Sequence, residues 1–142
     1  MTETLLLDNS AWARLNDPAL SDARAEEIAD ALEAGRIATC LPFLLEAGYS
    51  ARSARDYDEL LDELLALPRF DIDEEVEQRA IDAQHQLARI GHHRLPPVDL
   101  MVAAIAHRHG LGVLHYDRDY DVIAEKTELD FASVWLATAG TI

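Results

Sequence analysis

The sequence predicts one α/β domain with a largely parallel sheet. Three observations carry that expectation. Apolar runs of three to five residues recur along the chain. They alternate with longer stretches of helical periodicity. No internal repeat, low-complexity tract or domain-boundary linker interrupts the 142 residues, so a single domain is expected over residues 1–142.

The elements follow in order. Residues 4–7 form a short β-run. Ser10 then caps a short helix holding Ala11, Trp12, Ala13 and Leu15, which Asn16-Asp17-Pro18 breaks. Residues 21–34 show helical periodicity in Ala25, Ile28, Ala29 and Leu32, and Gly35 closes that helix. Residues 37–40 make a second strand. Residues 41–52 make an apolar helix, with Pro42 tolerated in its first turn. An amphipathic helix over 56–67 ends at Pro68, and residues 70–72 read as a third strand. Asp73 starts a long helix toward Gly91, and Pro96-Pro97 opens another that runs through His109 to Gly110. Residues 113–115 are a fourth strand, 120–125 a helical turn or two, and 131–135 a last strand.

Composition excludes several classes. Hydrophobic content of 49% with 27% charged residues is that of a globular chain able to bury a core without disulfides. No apolar run approaches the ~20 residues of a membrane span, and the N-terminus lacks a basic-then-apolar signal, so a cytoplasmic, membrane-free protein is expected. A lone Cys40, following Ile37-Ala38-Thr39, excludes an internal disulfide and a Cys-based zinc site. It reads as a buried structural thiol. The net charge of −15 excludes holding nucleic acid by broad phosphate neutralisation. Contact with RNA or DNA would need a local Arg patch, cations at the site, or both. Much of the negative charge is concentrated in Asp56, Asp58, Glu59, Asp62, Glu63, Asp71, Asp73, Glu74, Glu75 and Glu77, which read as solvated helix faces.

Other carboxylates fit that reading less well. Asp8 ends the first strand, where open α/β sheets place their ligands, although Asp-Asn-Ser before a helix is also an ordinary cap. Glu46 lies in the apolar helix LPFLLEAGYSAR, one turn from Pro42, Phe43, Tyr49 and Ser50. An unpaired carboxylate there needs a cation or a proton, and only Arg52 and Arg55 could fold back to it. Asp99 follows Pro97 by two residues, so it sits in a first helical turn and complements the macrodipole. The helix after it, Leu100 to Ala106, is apolar on most sides, which puts Asp99 at the rim of a buried element. Asp117 and Asp119 stand in GVLHYDRDYDVI, directly after another strand. Strand-then-Asp thus occurs twice, and two central parallel strands would bring Asp8 and Asp117 to one edge. Such a set suggests one site for a hard cation, Mg²⁺ or Mn²⁺.

This order resembles the PIN-domain ribonuclease family, and within it the VapC-type toxins of bacterial toxin–antitoxin pairs. The shared pattern is Asp8-Asn9-Ser10, Glu46, Pro97-Val98-Asp99 and Asp117-Arg118-Asp119-Tyr120. The resemblance implies a three-layer fold with a short, largely parallel sheet wrapped by helices. It implies Asp8, Glu46, Asp99 and Asp117 as the catalytic metal ligands, with Ser10 and Asp119 supporting. It also implies RNA as substrate, a cognate VapB-type antitoxin and a homodimer. Trp12 and the apolar positions of the first helices would suit a groove for an antitoxin helix with an inserted Arg. His115 departs from the pattern, standing where the family usually has Thr or Ser two places before the Asp.

The six histidines all fall between His85 and His115, yet adjacent His92-His93 and the pair His107 and His109 do not share helical faces as zinc ligands would. The segment ARIGHHRLPP is free of acids and leads into Asp99. His92, His93 and Arg94, with Arg52, Arg55 and Arg118, are the candidates for holding an RNA backbone. Two other classes compete with the nuclease. One is a Mg²⁺-dependent phosphatase-like domain, which usually has a downstream Lys where this chain offers only Lys126. The other is an acidic interaction module whose carboxylates are caps.

Overall fold

The computed structural model describes residues 3–142, so the first two residues of the domain expected over 1–142 lie outside it. In chain order the elements are β1 (Leu5–Leu7), α1 (Asn9–Trp12), α2 (Asp22–Glu33), β2 (Ile37–Cys40), α3 (Leu41–Tyr49) and α4 (Ala54–Leu65). They continue with β3 (Arg69–Phe70), α5 (Glu74–Ala88), α6 (Pro97–His109), β4 (Gly112–His115), α7 (Asp119–Lys126) and β5 (Ala132–Trp135). The strands form one all-parallel sheet in the order β3-β2-β1-β4-β5.

That order fixes where a site can form. From β1 the chain winds outward to β2 on one side, and later returns to β4 on the other. The crevice outside the C-terminal ends of β1 and β4 is therefore the switch point at which parallel sheets open a ligand site. Register brings the two ends level: Leu5, Leu6 and Leu7 stand against Gly112, Val113 and Leu114. The amide of Asp8 extends the ladder by donating to the Leu114 carbonyl at 3.0 Å.

Three consecutive leucines suit β1 because alternate side chains point to opposite faces and both faces are covered. All three are fully buried, as are Val113 and Leu114 of β4. The outer strands β3 and β5 are partly exposed. Helix α6 is buried through Leu100 and Val102 to Ala106, which explains its near-continuous apolar sequence. It closes on Gly110, whose φ of 69° is the left-handed conformation that glycine adopts without strain. Gly112 answers a different need. A Cβ there would stand 2.6 Å from Leu5 Cδ2 and 3.2 Å from the Ala132 carbonyl oxygen.

Several boundaries differ from the sequence reading. Asp8, and not Ser10, is the N-cap of α1, which is only one turn long. Helix α3 stops at Tyr49 instead of Arg52, because Ser53 caps a new helix by accepting from the Asp56 amide at 3.0 Å. The third strand is Arg69–Phe70 instead of 70–72, set by pairing with Thr39 and Cys40. Helix α5 ends at Ala88, short of Gly91. Cys40 is buried, and burial pushes its thiol up to about 11, which leaves it an inert core residue. Among the described residues no helix is long and apolar enough to cross a membrane.

Candidate metal centre

Asp8 reaches the switch point because Leu7 is the last residue of β1. Its Oδ2 accepts from the Ser10 amide at 2.9 Å and from the Ser10 hydroxyl at 2.5 Å. Its Oδ1 accepts from the Tyr120 hydroxyl at 2.6 Å. The Ser10 oxygen in turn accepts from the Tyr116 amide at 2.8 Å, which ties the end of β1 to the end of β4. Cap and site component are thus one residue: Asp8 caps α1 and faces the other acids.

Asp99 occupies the first turn of α6, yet no side chain caps that helix. It is only 6% exposed. Its Oδ1 lies 3.4 Å from the Tyr120 hydroxyl oxygen, and its Oδ2 is buried with no hydrogen-bond partner among the described residues. Its carboxyl is pushed up from 3.8 to about 8. Burial is the first cause, and repulsion by Asp8, Asp117, Asp119 and Glu46 follows. An orphaned carboxylate oxygen among like charges is the opposite of a helix cap.

Asp117 lies two residues past β4 and accepts from the Asp119 amide at 2.9 Å. One oxygen each of Asp99, Asp117 and Asp119 lie within 4.8 Å of one another. Asp119 is raised by burial and by Asp117. Asp8 joins this group through the Tyr120 hydroxyl. Glu46, half-buried on α3, joins it by its field: burial raises its carboxyl, and then Asp8 and Asp117. Neither arginine folds back to Glu46. Arg55 pairs with Glu59 at 3.3 Å, and both Arg52 and Arg55 are exposed.

The chemistry of this donor set fits a hard divalent cation. Asp99, Asp117 and Asp119 offer oxygens within one ligand shell, and a buried Asp99 oxygen lacks a partner among the described residues. The repulsion that helps raise Glu46, Asp99 and Asp119 is what a bound cation would relieve. Among the described residues no histidine joins a comparable ligand group. His92, His93 and Arg94 stand on the exposed turn that enters α6, and Arg118 is exposed beside Asp117.

Four further residues shape this geometry; Tyr120 and His115 were visible in the sequence without these roles, and Ser133 and Asp121 were not. Tyr120, fully buried, bridges Asp8 and Asp99 with one hydroxyl. His115, also fully buried, stacks on Tyr120 with ring centroids 4.9 Å apart. Burial pushes its imidazole below the ordinary histidine range. Ser133 and Asp121 complete a chain of hydrogen bonds behind it. The aromatic after Asp119 was a visible signal for Tyr120. Ser133 and Asp121 gave none, because their partners come from other elements.

Comparisons with known proteins bear on the family and the fold. A family model described as PIN domain matches residues 5–126. Ribonuclease VapC18 of Mycobacterium tuberculosis is 38% identical over 139 residues, covering 96% of this chain and 97% of that protein. Ribonuclease VapC51 of the same organism is 39% identical over 140 residues, covering 96% of each. Among solved structures, a DNA-bound VapBC from Salmonella typhimurium superposes with a TM-score of 0.73 at 19% identity, over 95% of this chain and 99% of that one. VapBC-5 from Mycobacterium tuberculosis gives 0.65 at 20% identity, over 92% and 98%. On the strength of the family match and the full-length relatives, the chain belongs to the PIN-domain family, in its VapC ribonuclease group.

Proposed function

We propose that the chain is a Mg²⁺- or Mn²⁺-dependent endoribonuclease that hydrolyses RNA phosphodiester bonds as the toxin of a toxin–antitoxin pair. One observation carries this reading: Asp99, buried with an unpartnered oxygen, faces four other carboxylates at the sheet's switch point. The ribonuclease names of the full-length relatives support the RNA substrate. Asp8, Glu46, Asp99 and Asp117 hold the cation, and Asp119 supports them.

A bound divalent cation supplies charge against the phosphate and lowers the pKa of an attacking water. The chain supplies placement. Ser10 and Tyr120 hold Asp8 from both of its oxygens, so that carboxylate needs no reorganisation on binding. Asp119, with an oxygen within 4.8 Å of those of Asp99 and Asp117, would be the carboxylate that orients a water. Arg118 beside the acids and His92, His93 and Arg94 at the mouth of α6 supply cationic or titratable contacts for the RNA backbone, with Arg52 and Arg55 farther out. Local contacts of this kind are what a chain of net charge −15 requires.

A VapB-type antitoxin is the partner. Trp12, Leu15, Ile28 and Leu32 line a cavity of about 440 Å³ between α1 and α2. Trp12 also borders a second cavity of about 230 Å³ with Ala47 and Leu60. An amphipathic antitoxin helix laid there could insert an arginine into the acidic centre. The VapBC proteins among the fold's structural neighbours support this pairing. The homodimer forms through α3, where Leu41, Leu45 and Tyr49 recur every fourth residue and are exposed. Activity in the cytoplasm, where RNA and antitoxin meet, follows from the same reading.

The test is RNA cleavage with Mg²⁺ or Mn²⁺, with and without EDTA. Cleavage should require the cation and fail in Asp117→Asn. Undiminished cleavage in excess chelator would overturn the mechanism.

A further inference from the structure

His115 is fully buried at the end of β4, two residues before Asp117, and its surroundings give it a definite task. The Asp117 amide points at His115 Nδ1 at 3.1 Å. A backbone N–H can only donate, so Nδ1 carries no proton and the ring proton sits on Nε2. Nε2–H then donates to Ser133 Oγ at 2.7 Å. The Ser133 hydroxyl, its own proton free, donates to Asp121 Oδ1 at 2.7 Å. The second Asp121 oxygen accepts from Trp135 Nε1 at 2.9 Å. Every donor in this chain meets an acceptor, in one direction only. That direction also excludes a serine nucleophile, because the Ser133 proton goes to the carboxylate and the imidazole has none of its acceptor capacity facing Ser133.

We propose that His115 is a positioning residue for the metal centre, with Ser133 and Asp121 selecting the tautomer that lets it hold the Asp117 backbone. The inference rests on the metal-centre reading given above. A Thr or Ser two residues before the Asp could accept the same amide proton through its hydroxyl. The imidazole makes that bond and adds a flat face against Tyr120, the residue that bridges Asp8 and Asp99. The ring thus touches both sides of the switch point, and its bond to the Asp117 amide is the contact that positions a ligand. The relay to β5 keeps the ring from turning, since a flipped ring would set Cδ2–H against the Asp117 amide and Cε1–H against Ser133, losing both hydrogen bonds.

Two isosteric variants of the full chain separate this task from packing. In His115→Asn the side-chain oxygen falls near the place of Nδ1 and can accept from the Asp117 amide. In His115→Gln the amide falls near Nε2 and can still bond Ser133, but nothing replaces Nδ1. Both lose the ring stack equally. Mn²⁺ affinity by calorimetric titration should stay within a few-fold of wild type in His115→Asn. In His115→Gln it should fall about ten- to a hundred-fold, and kcat for RNA cleavage should fall with it while KM is little changed. His115→Gln binding Mn²⁺ as tightly as His115→Asn would overturn the proposal. Wild type needs no variant to fold: its ring ¹⁵N spectrum should show an unprotonated Nδ1 and a protonated Nε2, and a protonated Nδ1 would overturn the proposal as well. Wild type that binds no Mn²⁺ would overturn the metal-centre reading and this role with it. Wild type that binds, alongside an unaffected His115→Gln, would overturn this role alone.

Discussion

Asp99→Asn should raise the stability of the metal-free protein while abolishing its activity. The folded carboxyl is raised from 3.8 to about 8, so the metal-free fold binds that proton more tightly than the unfolded chain does. Stability from this group is therefore whole below about pH 4 and drains away as pH rises toward about 8. Each pH unit in that window costs about 1.4 kcal/mol, which gives an upper figure of about 4 kcal/mol at pH 7. The acids titrate together, so part of that relief is already shared, and about 2–4 kcal/mol is the expected gain. Asparagine keeps the shape and removes the charge at every pH. The variant should thus melt about 5–15 °C above wild type in EDTA at pH 7. The difference should close near pH 4. Mn²⁺ at a hundred times its Kd would stabilise wild type by about 2.7 kcal/mol and the variant hardly at all. Thermal unfolding by circular dichroism across that pH range, with EDTA and with Mn²⁺, reads all of this. A variant that melts about 1 kcal/mol below wild type at every pH, and still cleaves RNA, would return Asp99 to a helix-terminal role and refute the reasoning.

Tyr120→Phe removes the hydroxyl that Asp8 accepts from and should cost about 1.5–3 kcal/mol in thermal unfolding with metal absent, together with weaker Mn²⁺ binding. Unchanged Mn²⁺ affinity would remove Tyr120 from the support of the site. Ser10→Ala breaks the link from Asp8 to the Tyr116 amide and should cost about 1–3 kcal/mol in denaturant unfolding, with kcat reduced more than KM. Gly112→Ala forces a methyl against Leu5 and the Ala132 carbonyl, and should destabilise by about 1–3 kcal/mol without touching Mn²⁺ affinity per folded molecule. Trp12→Ala should weaken capture of the co-expressed antitoxin and leave growth arrest unrelieved. If the antitoxin still relieves arrest, the groove at α1 and α2 is not where it acts.

The alternation of short apolar runs with helices was legible because parallel strands buried on both faces must be apolar throughout, as Leu5, Leu6 and Leu7 are. The carboxylates stood out for the same reason. Glu46 and Asp99 interrupt apolar helices, and Asp8 and Asp117 follow apolar strands. Helix and strand ends were less legible. The pairing of Arg69 with Thr39 sets the third strand, and no local propensity announces a two-residue ladder. Asp8 was readable as a cap or as a site component, and sequence could not show that one carboxylate serves as both. His115 was visible only as a departure from a pattern. Its partner Ser133 is eighteen residues on, brought across by β4–β5 pairing, and Asp121 comes from the intervening helix. Such contacts depend on register and topology, which a single chain does not spell out.

The central claim is that the acids at the ends of β1 and β4 hold a divalent cation. Anomalous diffraction from crystals of the metal-free protein soaked in Mn²⁺ tests it most directly. The account predicts the strongest anomalous peak among Asp8, Asp99 and Asp117, in bonding reach of the Asp99 oxygen that now has no partner, and its loss in Asp99→Asn. Peaks confined to the solvated acids of α4 and α5, with the switch point empty, would contradict it.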